Sequence, residues 1–178
     1  MEFQMHTTYD RPAMTVMARA SRKTINQKRN RFFHVWIYAV LLLGILCAIP
    51  LDGTLTSSNI ISGLVAIFML VTRLLEDHLD GWIAYRCVLP GTEQVDATFT
   101  PEQYCTKSKI STTKWSYETI AAVAESPRYF IFILGQKHAQ IYDKSSLTGG
   151  NCEQFRALLE TATGKPIFPI DKKVLPIF

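Results

Sequence analysis

The chain has 178 residues, 48% of them hydrophobic and 19% charged, with a formal net charge of +4. Most of the positive excess lies before residue 32, and no basic motif interleaved with aromatics follows, which excludes the usual nucleic-acid binders and points to an anionic membrane leaflet. Cys47, Cys87, Cys105 and Cys152 form no C-x-x-C pair, so reduced thiols are expected in place of a disulfide framework.

At the N-terminus, Phe3 and Met5 alternate like a strand within Met1 to Thr7, and the pattern alone leaves open whether they cover a sheet edge. Asp10 is a suitable cap for a helix whose early Pro12 costs little. From Arg11 to Asn30 there is no further Pro and no Gly, so residues 1–31 are expected to form a basic cytoplasmic segment whose helix runs on into a membrane span. Arg22, Lys23, Lys28, Arg29 and Arg31 are its candidate contacts to acidic headgroups, each contributing on the order of 1 kcal/mol beside a negatively charged leaflet. The same charges also serve as an ordinary topology signal.

Phe32 to Leu51 and Gly53 to Thr72 are apolar stretches without Lys, Arg, Asp or Glu, separated by Asp52. About 20 helical residues cross the ~30 Å hydrocarbon core, so residues 32–75 are predicted to form a transmembrane hairpin with spans near 32–51 and 55–73. The first stretch starts too far into the chain for a signal peptide. Basic residues precede it and none occupies the connection Leu51 to Ser58, which sets both termini in the cytoplasm. Gly44 and Ala48 in the first span face Ser62 and Ala66 in the second as a small-residue packing code, with Ala48 at the depth of Ser62 and Gly44 at that of Ala66. His34, beside Trp36 and Tyr38, belongs to an interfacial aromatic belt more readily than to a proton relay.

Residues 76–87 are expected to form a juxtamembrane helix. Glu76, Asp77, His78 and Asp80 have metal-ligand chemistry, but no second cluster accompanies them. Ion pairs with the basic Arg22 to Arg31 stretch are the better use of these carboxylates, and no metal site is assigned.

Pro90-Gly91 marks a change of pattern, and residues 88–178 are expected to form a cytoplasmic domain with a C-terminal tail. Val95 to Phe99, Tyr104 to Ile110, Thr112 to Trp115, Ile120 to Ala124, Tyr129 to Leu134 and Ala139 to Tyr142 are predicted as a meander of about six short strands. A helix follows, with Asn151 as N-cap, Gln154 completing a capping box, Phe155, Leu158, Leu159 and Ala162 on one face, and Gly164 and Pro166 at its end. An α+β fold is expected: a pleckstrin-homology-like antiparallel barrel or curved sheet closed by that helix. Lys107, Lys109 and Lys114 fall on neighbouring strands and form a candidate basic patch. Gly149-Gly150 could hold a phosphate through backbone N–H groups, although such a pair before a cap is more often simply a loop. The tail from Lys165 to Phe178 has no regular period.

Asp96-Ala97-Thr98-Phe99-Thr100, Lys114-Trp115-Ser116-Tyr117-Glu118-Thr119-Ile120, Arg128 to Leu134 and Phe155-Arg156-Ala157-Leu158-Leu159, placed after a basic helix and two spans, resemble the bacterial YcxB-like family. That resemblance implies a pleckstrin-homology-like domain anchored in the inner membrane of a bacterial cell, in a family without an established activity. It also marks Lys144 as a candidate headgroup or partner contact, although Tyr142-Asp143-Lys144-Ser145 departs from the commoner apolar-Pro-Lys-Arg pattern. From the residues themselves, Trp115, Ile120, Tyr129, Ile131 and Ile133 read as core.

No G-x-S-x-G, Walker or H-E-x-x-H arrangement occurs, so no catalytic residue and no cofactor is assigned. A non-enzymatic interaction or sensing module, meeting a protein partner or anionic lipid at the membrane, is the expected function. The alternative is a small immunity protein that neutralises a toxin. The oligomeric state is not legible.

Overall fold

The computed structural model describes residues 2–24, 27–50, 53–54, 56–135 and 138–170, with backbone alone for 27–31 and 33. Asp52 of the expected turn, the side chains of Lys28, Arg29 and Arg31, and the tail beyond residue 170 lie outside the described residues. In chain order come β1 (Phe3–Thr8), α1 (Arg11–Thr24), α2 (Gln27–Ala48), α3 (Ser57–Leu74), α4 (Glu76–Arg86), β2 (Gln94–Phe99), β3 (Gln103–Lys107), β4 (Thr112–Ser116), β5 (Ala122–Glu125), β6 (Tyr129–Ile133), β7 (Ala139–Asp143), α5 (Cys152–Thr163) and β8 (Ile167–Pro169).

The fold is α+β, built on two four-stranded sheets ordered β1-β2-β3-β4 and β7-β6-β5-β8. Neither closes into a barrel, one of the two forms expected from the sequence. At Ser116 the chain leaves β4 for a 3-10 turn whose first free N–H, that of Glu118, is taken by the Ser116 hydroxyl, so the ladder stops before β5. On the other side β1 meets β7 through a side chain, the Asp143 N–H donating to Thr7 Oγ1 at 2.9 Å, and not through a strand ladder.

Phe3, Phe99, Tyr104, Phe130, Phe132, Tyr142 and Phe155 fill the space between the sheets and under α5, every one of them buried. Phe99 sits at the centre, with ring centroids 4.9 Å from Phe155, 5.0 Å from Tyr142 and 5.8 Å from Phe132, all edge-on, the arrangement that aromatic quadrupoles favour. The capping box of α5 forms as its spacing predicts, with Asn151 Oδ1 accepting from the Gln154 N–H at 2.8 Å, and Gly164 ends the helix at φ 63°.

The second sheet is covered on its other face as well. Ala13 and Ala20 of α1 pack with Ile131, Ile133 and Ile141, which is why all five residues of β6 are buried. A domain starting at residue 88 therefore omits two of its own parts. β1 forms the edge next to β2, in register from Phe3 opposite Phe99 to Thr8 opposite Gln94, and α1 is the back layer of the second sheet.

α2 and α3 pack side by side and leave most of their apolar surface exposed, Phe68 at 69% and Val35 at 67%. Asn59 closes the pair, its Nδ2 donating to the Cys47 carbonyl at 2.9 Å. A Cβ on Gly44 would lie 3.4 Å from the Ala66 Cβ, which is the pairing expected from the sequence; Ala48 meets Gly63, one residue beyond Ser62. α3 is long and apolar enough to cross a membrane, and among the described residues the apolar part of α2 is His34–Ala48.

Candidate functional site

Two clusters and one open face hold the polar residues of interest. The first cluster lies where α1 passes α4. Arg22 reaches Glu76 at 2.5 Å, Asp80 at 3.5 Å and also Asp77, while Arg19 Nε donates to Asp77 at 2.7 Å. Arg73 pairs with Glu76 and donates to His34 Nε2 at 3.1 Å, joining both long helices to the same cluster. The acidic end of α4 is thus engaged by arginines, as the sequence suggested for Arg22, and His34 is a hydrogen-bonded member of the network. Burial lowers the Arg22 pKa, opposed by the Asp80 charge. Below the cluster the helices nearly touch: a Cβ on Gly81 would come within 2.7 Å of the Thr15 Cα. Lys23 stays exposed.

The second cluster ties α5 to the second sheet. Arg156 grips Glu125 with two hydrogen bonds of 2.8 Å, and Lys144 pairs with the same carboxylate. Lys144 Nζ also donates to the Ser126 carbonyl at 2.6 Å and lies 4.6 Å from the centroid of the Phe130 ring. Its side chain is only 12% exposed, so the headgroup contact suggested for Lys144 is replaced by an internal one. No sequence signal linked it to Glu125, because the two are brought together by β5 and the turn after β7. Burial would raise the Glu125 pKa, but the hydrogen bonds from Arg156 and Lys144 outweigh it and hold the carboxyl below its ordinary value. Asp143 is depressed in the same way, its burial overcome by hydrogen bonds from Ser145 and Arg128. Burial pushes the Tyr9 hydroxyl up to about 12.

The open face is the outer side of the first sheet. Lys107 stands opposite Asp96, and Asp96 is bonded to His6 Nδ1 at 2.6 Å across β1. Lys114 lies opposite Cys105, and Lys107, Lys109 and Lys114 are all exposed. Lys107 and Lys114 lie on the outer side of the sheet together with Asp96, whereas Lys109, expected on a strand, falls in the turn between β3 and β4.

Three motif residues of the resemblance pack inward. Trp115 Nε1 donates to Thr106 Oγ1 at 2.9 Å, the Tyr117 hydroxyl donates to the Thr100 carbonyl at 2.8 Å, and Ile120 is fully buried. Residues 99–159 match the model of the YcxB-like protein family. That segment is YcxB-like. It runs from the end of β2 into α5 and contains the whole Glu125 cluster, whereas β1 and the four helices before β2 lie outside the match. No curated protein and no solved structure gives a match.

Gly149 and Gly150 are taken up by packing: a Cβ on Gly149 would fall 2.0 Å from the Glu2 carbonyl oxygen, and one on Gly150 would fall 2.6 Å from the Phe3 ring. The glycines let the loop before α5 lie flat on β1, where Gln4 and Thr148 exchange backbone hydrogen bonds. Cys47, Cys87, Cys105 and Cys152 are all free thiols. Among the described residues no group of His, Cys, Asp and Glu has metal-site geometry. One groove, of about 360 Å³, lies between α2 and α3 and is lined by Phe32, Trp36, Ile37, Val40 and Met69, with no polar group to act on a bound molecule.

Proposed function

We propose that the chain is a membrane-anchored, non-enzymatic interaction module. In this reading α2 and α3 cross the inner membrane of a bacterial cell as a hairpin and hold the two-sheet domain at the cytoplasmic face. The pairing of β1 with β2 carries the proposal. These strands flank α2 and α3 in sequence and are hydrogen-bonded neighbours in one sheet, so both lie on the same side of any bilayer. The chain between them must cross an even number of times. If α3 crosses, α2 crosses too. The exposed apolar surface of both helices and the basic residues ahead of α2 support the same arrangement and set its direction.

Seven antiparallel strands in two packed sheets with a C-terminal helix across the core support a pleckstrin-homology-like reading, with the hairpin inserted after the first strand. The outer side of the first sheet, carrying Lys107 and Lys114 with Lys109 in the turn between them, is the surface offered to a protein partner or to acidic headgroups. Tethering raises the effective concentration of such weak contacts.

Topology is tested by single cysteines in a chain whose four native cysteines are replaced by Ser. Thr54→Cys is expected to react with an impermeant maleimide in intact cells, and Ser108→Cys only after permeabilisation. Labelling of Ser108→Cys from outside, or recovery of the chain in the soluble fraction, would overturn the reading.

A further inference from the structure

The buried stripe of α3 does not stop where that helix ends. Ser62, Ala66, Met69 and Arg73 face α2, and Glu76, Asp80, Gly81 and Ala84 continue the same spacing toward α1. Helical hydrogen bonds run through the junction, Leu75 N–H to the Val71 carbonyl at 3.0 Å and Leu79 N–H to the Leu75 carbonyl at 2.9 Å. The outer side is equally continuous and, but for the exposed His78, stays apolar past the point where charges begin on the inner side: Leu74, Leu75, Leu79, Trp82 and Ile83 are all exposed. At about 1.5 Å per residue, Ser57 to Arg86 spans on the order of 45 Å. That exceeds a hydrocarbon core of about 30 Å and reaches the depth of the headgroup layer.

The end of this face has interfacial chemistry. Trp82 is exposed with the Arg86 guanidinium stacked 4.1 Å above its ring, and Tyr85 is exposed with Arg11 at 5.7 Å. Amphipathic rings with an apolar body and a wet edge, accompanied by arginine, are what the boundary between acyl chains and anionic headgroups selects. The inner carboxylates Glu76, Asp77 and Asp80, which would be repelled there, are neutralised by Arg19, Arg22 and Arg73 and turned away from this face.

We propose that the outer face of α4 lies in the headgroup layer of the leaflet from which α3 emerges, with Leu79, Trp82 and Ile83 against acyl chains and Arg86 beside anionic lipid phosphates. This rests on the membrane reading above. α4 is then the continuation of α3 through the headgroup layer, and it fixes how deep the hairpin sits and how closely the two-sheet domain is held to the bilayer.

The test uses the full chain reconstituted in mixed phosphatidylcholine and phosphatidylglycerol vesicles whose acyl chains are brominated near the glycerol end. Trp36→Phe with Trp115→Phe leaves Trp82 as the reporter of α4, and Trp82→Phe with Trp115→Phe leaves Trp36 as the reporter of the hairpin. Both proteins are expected to lose about half of their emission to the brominated lipid, with Trp82 shifted to the blue. Quenching of Trp36 alone, with Trp82 open to aqueous acrylamide, overturns the placement of α4 and leaves the hairpin standing. Quenching of neither overturns the membrane reading itself. A Trp82 shielded from both lipid and acrylamide is covered by protein, a second copy included, and also overturns the proposal. Should Trp115→Phe prevent folding, a spin label at Leu79→Cys gives the same answer: contact with oxygen exceeding contact with a nickel chelate supports the placement, and the reverse refutes it.

Discussion

The two sheets share one aromatic core but differ in what lies behind them. Along β1, buried and exposed residues alternate strictly, and the outer side of that sheet carries His6, Asp96, Lys107 and Lys114 into solvent. Along β6 nothing alternates, because Phe130 and Phe132 face the core while Tyr129, Ile131 and Ile133 face α1. One sheet is therefore a surface and the other an interior layer. Since α1 leads into α2, the interior sheet is the one backed by the segment that leads into the two long apolar helices, and the surface sheet is the one left to meet something else.

The strongest way to break this contrast is Ile133→Ala. It removes a fully buried side chain between β6 and α1 and is expected to cost about 3 kcal/mol, measured by thermal unfolding of the detergent-solubilised chain. A cost below about 1 kcal/mol would mean that α1 does not cover the sheet. Glu125→Ala leaves Arg156 and Lys144 without their shared carboxylate and is expected to cost nearly as much, about 3 kcal/mol. Because the folded pKa values of Glu125 and Asp143 lie below their unfolded values, their stabilisation is complete above the ordinary carboxylate range near pH 4 and is lost as pH falls through the folded values. Unfolding temperature should thus drop on acidification below about pH 4, and less steeply in Glu125→Gln than in the unaltered chain.

Gly81→Val drives a side chain into Thr15 and should cost about 2 kcal/mol, with α1 and α4 forced apart. A spin-label distance between the two helices that did not change would contradict their close crossing. Asn151→Ala removes the cap of α5 for about 1 kcal/mol. On the surface sheet, Lys114→Ala should change stability by less than about 0.5 kcal/mol, which sharpens the contrast from the other side.

Much of the strand order was legible because alternation and turn residues coincide: Val95 to Phe99, Tyr129 to Leu134 and Ala139 to Tyr142 lie within a residue or two of β2, β6 and β7. α5 was legible to its caps. What escaped was the role of the N-terminal segment. Ala13, Val16, Met17 and Ala20 form an apolar stripe, but small side chains among arginines read as a membrane approach, and nothing local says that a sheet lies on the other side. β8 escaped because three residues in parallel pairing with β5 carry no period of their own, and Pro169 reads against a strand. The Lys144 to Glu125 contact is a product of tertiary assembly, and a basic residue at that place looks the same from the sequence whether it faces water or a carboxylate.

The seam between β1 and β2 also governs how the molecule is made. His6 and Asp96 bond to each other across 90 positions of chain. At translation speeds of roughly 5 to 20 residues per second, the first strand waits on the order of ten seconds for its neighbour to leave the ribosome. During that interval Phe3 and Met5 are apolar and unsheltered, and both long apolar helices emerge before the strand that pairs with β1. Under the membrane reading proposed above, lipid insertion precedes globular folding, and a nascent chain stalled between these two events is the one most exposed to proteolysis.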